Sequence, residues 1–149
     1  MAKLFIYYSF TGNGEKVSFV LSKKGYEVRR VEEKKKMPKS FFLQMMAGGF
    51  RAGVGIKGKL KPYDKDISSF DEVVIGSPIW NGAFPPATNA LLNELDLKEK
   101  KVSFLLYSGS GEGAKAKKKI EKLFPNTPIL FVKEPKKHEE ELAKLDSLD

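Results

Sequence analysis

Lys3-Leu4-Phe5-Ile6-Tyr7-Tyr8, followed at once by Ser9-Phe10-Thr11-Gly12-Asn13-Gly14, decides how the chain folds. The first six residues are apolar and aromatic without alternation, the pattern of a parallel strand buried on both faces. Beyond the turn, Val17, Val20 and Leu21 recur at i, i+3 and i+4, the spacing of a helix that lays one face on a sheet. A strand therefore runs into a hydroxyl- and glycine-rich turn, and the turn opens a helix. Such a turn presents successive backbone N–H groups at the positive end of a helix dipole, with serine and threonine hydroxyls beside them, which suits a phosphate dianion. The turn is neither a dinucleotide fingerprint nor a nucleotide P-loop. An ordinary strand-to-helix turn needs the same residue types.

The pattern repeats along the chain. Gly25 is placed as a helix C-cap, and Tyr26-Glu27-Val28-Arg29-Arg30-Val31 reads as a second strand whose polar alternation suits a sheet edge. A charged loop over residues 32–36 precedes a helix expected over residues 40–46, with Ser40 as N-cap. Residues 47–58 hold five glycines and fit no periodic template, which predicts an irregular loop or a broken helix end. Phe50 and Arg51 in it either lie over a ligand or belong to a mere connection. Glu72-Val73-Val74-Ile75-Gly76-Ser77 is a third strand. It leads through Pro78-Ile79-Trp80-Asn81-Gly82-Ala83-Phe84-Pro85-Pro86 into a helix marked by Ala87, Ala90, Leu91, Leu92 and Leu95. Val102-Ser103-Phe104-Leu105-Leu106-Tyr107 is a fourth strand, running into Ser108-Gly109-Ser110-Gly111-Glu112-Gly113. The next helix turns Ala116, Ile120 and Leu123 inward and Lys115, Lys117, Lys118, Lys119 and Lys122 largely outward. Ile129-Leu130-Phe131-Val132 is a fifth strand, and a final helix is expected over residues 139–148.

Composition narrows the class. The chain has 149 residues, one domain's worth, with 41% hydrophobic and 31% charged residues, as in soluble globular proteins. It contains no cysteine, which excludes disulfides, thiolate metal sites and cysteine-ligated iron–sulfur clusters. The strand begins within three residues of Met1 and no apolar run approaches transmembrane length, so a cytoplasmic protein away from membranes is expected. The net charge of +8 is uneven: residues 139–149 carry five acids against Lys144, so the body before them is more basic still. A lysine-rich surface attracts acidic proteins or anionic ligands, or is simply a solvated face. No nucleic-acid motif accompanies it. His138 stands alone in a charged segment and reads as a surface residue.

Strands alternating with helices predict an open parallel sheet covered on both faces, and such sheets bind ligands beyond the carboxyl ends of their strands. The unusual loops all follow strands. One offers phosphate donors, one an exposed indole beside the flexible Asn81-Gly82 peptide, and one glycines that allow close backbone approach. The implied ligand has a phosphate at one end and a flat aromatic system at the other.

These residues resemble the flavodoxin family over nearly the whole chain. Ser9-Phe10-Thr11-Gly12-Asn13-Gly14, with Glu15 opening the helix, resembles the family's phosphate loop. Gly76-Ser77-Pro78-Ile79-Trp80-Asn81-Gly82 resembles the loop that presents an aromatic ring to the flavin, and Ser108-Gly109-Ser110-Gly111-Glu112-Gly113 occupies the place of the loop on its pyrimidine side. The resemblance implies a single flavodoxin-like domain over residues 1–149: a doubly wound five-stranded parallel sheet, order 2-1-3-4-5, with helices on both faces. It also implies FMN as cofactor and one-electron transfer, with no catalytic residue and no metal. Three departures stand out. Gly14 replaces the last hydroxyl of the phosphate pattern, leaving backbone N–H groups to compensate. The third loop lacks a stacking tyrosine, Tyr107 lying just before it and pointing into the sheet. The protein is basic where flavodoxins are acidic.

On this reading Ser9, Thr11 and the amides of residues 12–15 hold the phosphate, and Trp80 stacks on the isoalloxazine. The Asn81-Gly82 peptide can flip at low steric cost to offer a carbonyl to flavin N5–H. Glu112 either lowers the potential by its charge or is a solvated loop acid. The expected function is a monomeric electron carrier between redox partner proteins, acidic ones given the basic surface. The alternative is a flavin-dependent NAD(P)H or quinone oxidoreductase on the same fold, for which residues 48–58 with Phe41, Phe42 and Phe50 would supply the second site.

Overall fold

A computed structural model describes residues 2–34, 59–80, 82–109 and 113–148. The helix expected over residues 40–46 and the glycine-rich stretch 47–58 lie outside the described residues, as do Asn81, Ser110, Gly111 and Glu112.

Five strands form one sheet: β1 (Lys3–Tyr8), β2 (Glu27–Val31), β3 (Glu72–Pro78), β4 (Lys101–Ser108) and β5 (Ile129–Lys133). All neighbours pair parallel, in the order β2-β1-β3-β4-β5. Among the described residues three α-helices cover it, α1 (Asn13–Lys23), α2 (Pro86–Glu94) and α3 (Ala114–Leu123). The continuous apolar run of β1 is explained by its position, since both its faces are covered. Leu4, Ile6 and Tyr8 meet α2 and α3, while Phe5 and Tyr7 meet α1. β2, with its polar residues, is indeed an edge strand.

Local rules hold at the helix ends. The Tyr26 N–H donates to the Leu21 carbonyl (3.1 Å) and the Gly25 N–H to that of Ser22 (3.2 Å), with Gly25 at φ +94°. That is a Schellman cap closing α1, in which glycine takes the left-handed position. Proline stands at the start of α2, where its missing N–H costs nothing. In α3, Ala116 and Ile120 are buried while Lys115, Lys117, Lys118 and Lys122 are exposed. Lys119 is half-buried, its ammonium donating to Asn89 Oδ1 at 2.6 Å and bracing α3 against α2, whereas Leu123, expected inward, is exposed. Among the described residues no helix is long and apolar enough to cross a membrane.

The last segment is not an α-helix. Glu139–Leu148 forms a 3₁₀ helix. Leu142, Leu145 and Leu148 explain it, because a spacing of three places them on one side of a helix with three residues per turn. All three pack into the α1-side core.

Close packing in that core depends on Gly76. The Phe5 ring lies over it so closely that a Cβ there would stand 2.5 Å from two ring carbons. Phe5 in turn stacks on Tyr7, with centroids 4.9 Å apart and planes 9° from parallel.

Candidate functional site

The loops after β1, β3 and β4 meet at the carboxyl edge of the sheet. In the first, Gly12 takes φ +102° at the N-cap of α1, a conformation that strains other residues, so the chain turns sharply into the helix. The leading N–H groups of a helix have no partner within it and face the loop. The Thr11 hydroxyl is exposed and accepts from Asn13 Nδ2 (3.3 Å), which leaves its own proton free to donate. Ser9 differs from expectation. It is buried, its Oγ accepts the Gly14 N–H (3.1 Å), and it donates to Glu15 Oε2 at 2.7 Å. Arg30 holds Glu15 from the other side, Nη1 to Oε1 at 3.2 Å. The Ser9 hydroxyl therefore braces the loop, and must turn away from Glu15 before it can donate to an anion.

Gly14 is packed on all sides. A Cβ there would stand 2.7 Å from Ser9 Cβ, Tyr107 Oη and Tyr7 Cδ2 alike. The missing hydroxyl of the phosphate pattern is thus excluded sterically. Tyr107 explains part of this: it is buried in the α1-side core, and its hydroxyl donates to the Tyr8 carbonyl, tying the end of β4 to the end of β1. Burial first, then the nearby Glu15 carboxylate, push that phenol well above its ordinary pKa, so it stays a donor.

The second loop corrects a further expectation. Trp80 is buried, with 4% of its surface accessible. The Trp80 N–H donates to the Ala83 carbonyl (2.9 Å) and the Ala83 N–H returns the bond (3.0 Å). Gly82, at φ +79°, makes that tight turn possible, and the Gly82 carbonyl accepts the Ala116 N–H at 2.9 Å. This closure draws the indole back from the loop tip onto Tyr8 (6.1 Å, 71°) and Phe10 (5.6 Å, 85°), both edge to face. Phe10 is the partly exposed aromatic ring at this edge, 37% exposed. Pro78 and Ile79 are buried beneath, and Ile79 packs against Gly113 of the third loop, where a Cβ would approach its Cγ2 to 3.1 Å.

In the third loop Ser108 is buried and its hydroxyl has no hydrogen-bond partner among the described residues. Gly109 beside it is exposed. Such an orphaned hydroxyl carries a desolvation cost that a polar ligand edge would relieve. A cleft of about 440 Å³ opens next to the first loop, between Tyr8, Ser9 and Phe10 on one side and Arg30, Glu32, Glu33 and Lys61 on the other. The Tyr8 hydroxyl donates to Glu33 across it. No cluster of metal-ligating side chains occurs among the described residues.

A fourth segment escaped the sequence reading. The turn after β5, residues 134–138, straps the first loop to the third. The Glu134 N–H donates to the Ser108 carbonyl (3.2 Å), the Lys136 N–H to Asn13 Oδ1 (3.0 Å), and the Lys136 ammonium to the Thr11 carbonyl (3.0 Å). The signal was topological: in a parallel sheet the turn after β5 must reach the same edge as the others.

The family model described as NADPH-dependent FMN reductase matches residues 14–136. The chain belongs to that family. No curated protein matches the sequence. Among solved structures, a candidate flavoprotein from Bacteroides eggerthii superposes with TM-score 0.74 at 20% identity, over 98% of this chain and 96% of that one. A flavoprotein from Lactobacillus acidophilus in complex with FMN gives 0.60 at 16% identity, over 93% and 97%. Oxidised flavodoxin 2 from Bacillus cereus gives 0.53 at 16%, over 99% and 94%. These likenesses bear out the flavodoxin-like fold.

The FMN reductase family is flavodoxin-like and FMN-binding, so FMN is the group against which the site is measured. The residues fit it. The exposed Thr11 hydroxyl and the α1 terminus suit a phosphate, the Phe10 face suits a flat ring, and the Ser108 hydroxyl is a polar atom in want of a partner.

Proposed function

We propose that the chain holds FMN at this edge and carries electrons between redox partner proteins. The observation that carries the reading is the junction of a phosphate-type helix terminus with the open Phe10 ring at the carboxyl ends of β1 and β3. Thr11 and the amides of residues 12, 13 and 15 take the phosphate by charge-assisted hydrogen bonds, each worth about 1.5–3 kcal/mol, while the Gly14 N–H stays on Ser9 Oγ. Phe10 bounds the flavin and Trp80 backs it. FMN supplies the redox chemistry; the protein binds, orients and excludes water. The exposed lysines of α3 border the third loop and favour an acidic partner, with association that weakens steeply as salt rises.

The family's description favours a second reading, an FMN-dependent NADPH oxidoreductase on the same site. One preparation tests both. Protein incubated with FMN and desalted is expected to keep visible flavin bands. Trp80 is the chain's single tryptophan, so its fluorescence should fall as FMN is added. Loss of all flavin on desalting, with Trp80 emission unchanged, overturns the cofactor site. Retained FMN that accepts reducing equivalents one at a time, with NADPH left unoxidised, supports the carrier. Steady NADPH oxidation supports the reductase instead.

A further inference from the structure

We propose that Lys136 is the counter-ion of the cofactor phosphate and takes the place of the hydroxyl that Gly14 lacks. The inference rests on the FMN reading above. Among the described residues, two cations beside the first loop already have carboxylate partners: Arg30 pairs with Glu15 (3.2 Å) and Lys16 with Glu139 (3.5 Å). Lys136 is different. Its ammonium donates to the Thr11 carbonyl, and among the described residues no carboxylate pairs with it. A carbonyl dipole is a weak partner for a full charge, so a dianion arriving at the Thr11–Gly12 turn gains the ammonium at little cost in broken bonds.

Position supports the assignment. The Lys136 Nζ lies 3.5 Å from the point a Gly12 Cβ would occupy, on the outer side of the left-handed turn. Its backbone is fixed independently of its charge, because Asn13 Oδ1 accepts the Lys136 N–H and the Lys137 N–H closes on the Glu134 carbonyl at 2.8 Å. Glu134 takes φ +33°, an uncommon conformation for a side-chain-bearing residue, and the strain is borne where the strap turns toward the loop. Asn13 is on this view a positioning residue: it bonds the strap and the Thr11 hydroxyl at once.

The test compares FMN with riboflavin, which has the same ring and no phosphate. Dissociation constants are measured by Trp80 quenching for the wild type, K136M, K136R and N13A. K136M is expected to weaken FMN about tenfold and to leave riboflavin unchanged, with K136R recovering most of the loss and N13A falling between. The dependence of FMN affinity on salt should flatten in K136M. An unchanged ratio of FMN to riboflavin affinity in K136M overturns the inference, as does an equal loss for both ligands, which would make the strap merely structural. Wild-type protein that binds neither flavin overturns the cofactor reading itself, and the inference with it.

Discussion

Replacing Gly14 by threonine, the residue that would complete the phosphate pattern, is expected to destabilise the apoprotein by about 3 kcal/mol and to weaken FMN binding. Gly14 lies in the first turn of α1 with an ordinary negative φ, so backbone strain plays no part. At an open helical position Gly→Ala gains up to about 1 kcal/mol, and here the sign reverses. A Cβ would meet three atoms at 2.7 Å, and none can yield. Tyr107 is fixed by its bond to the Tyr8 carbonyl, and Tyr7 is backed by Phe5, which itself lies on Gly76. Denaturant unfolding of G14A and G14T checks this, with G109A as the comparison. Gly109 is exposed, and a Cβ there meets nothing nearer than Glu134 Oε1 at 3.4 Å. Equal stability of G14A and wild type would refute the packing argument.

The other large effect is expected of Phe104→Ala, a loss of about 3–5 kcal/mol. Phe104 is fully buried in β4, with ring centroids 6.2 Å from Phe84 and 5.6 Å from Phe124. It joins the α2 approach, the central sheet and the end of α3, and these elements cannot close around an alanine without moving apart. At about 2–4 °C per kcal/mol, melting should fall by about 6–20 °C. A fall of under about 3 °C would mean that the neighbours collapse into the space.

The strands were legible because a parallel interior leaves a signature that no other element shares. β1, β3 and β4 each show an unbroken apolar run, and each is covered on both faces. Edge position was legible in Glu27, Arg29 and Arg30 of β2. The location of the site followed from topology alone. What escaped depended on atoms distant in sequence or on a choice between near-equal local states. Trp80 was read as exposed because Asn81-Gly82 signals a surface turn, but the signal is silent on how tightly Trp80 and Ala83 close beneath it. Ser9 was read as a phosphate donor, and Glu15, six residues on, claims its proton. Leu123 at the end of α3 was read as inward and is exposed, while Asn89 draws Lys119 in. Leu142, Leu145 and Leu148, three apart, match the tighter helix, a spacing the expectation of an ordinary helix over residues 139–148 passed over.

The strap after β5 also sets a timetable. Thr11 and Lys136 are 125 positions apart in the chain. At a synthesis rate of about 5–20 residues per second, the first loop leaves the ribosome about 6–25 s before the lysine that completes it. If Lys136 completes the phosphate site as proposed, a nascent chain would present only half of it, and flavin would be captured late, by the finished sheet. Interrupted translation products would not sequester cofactor.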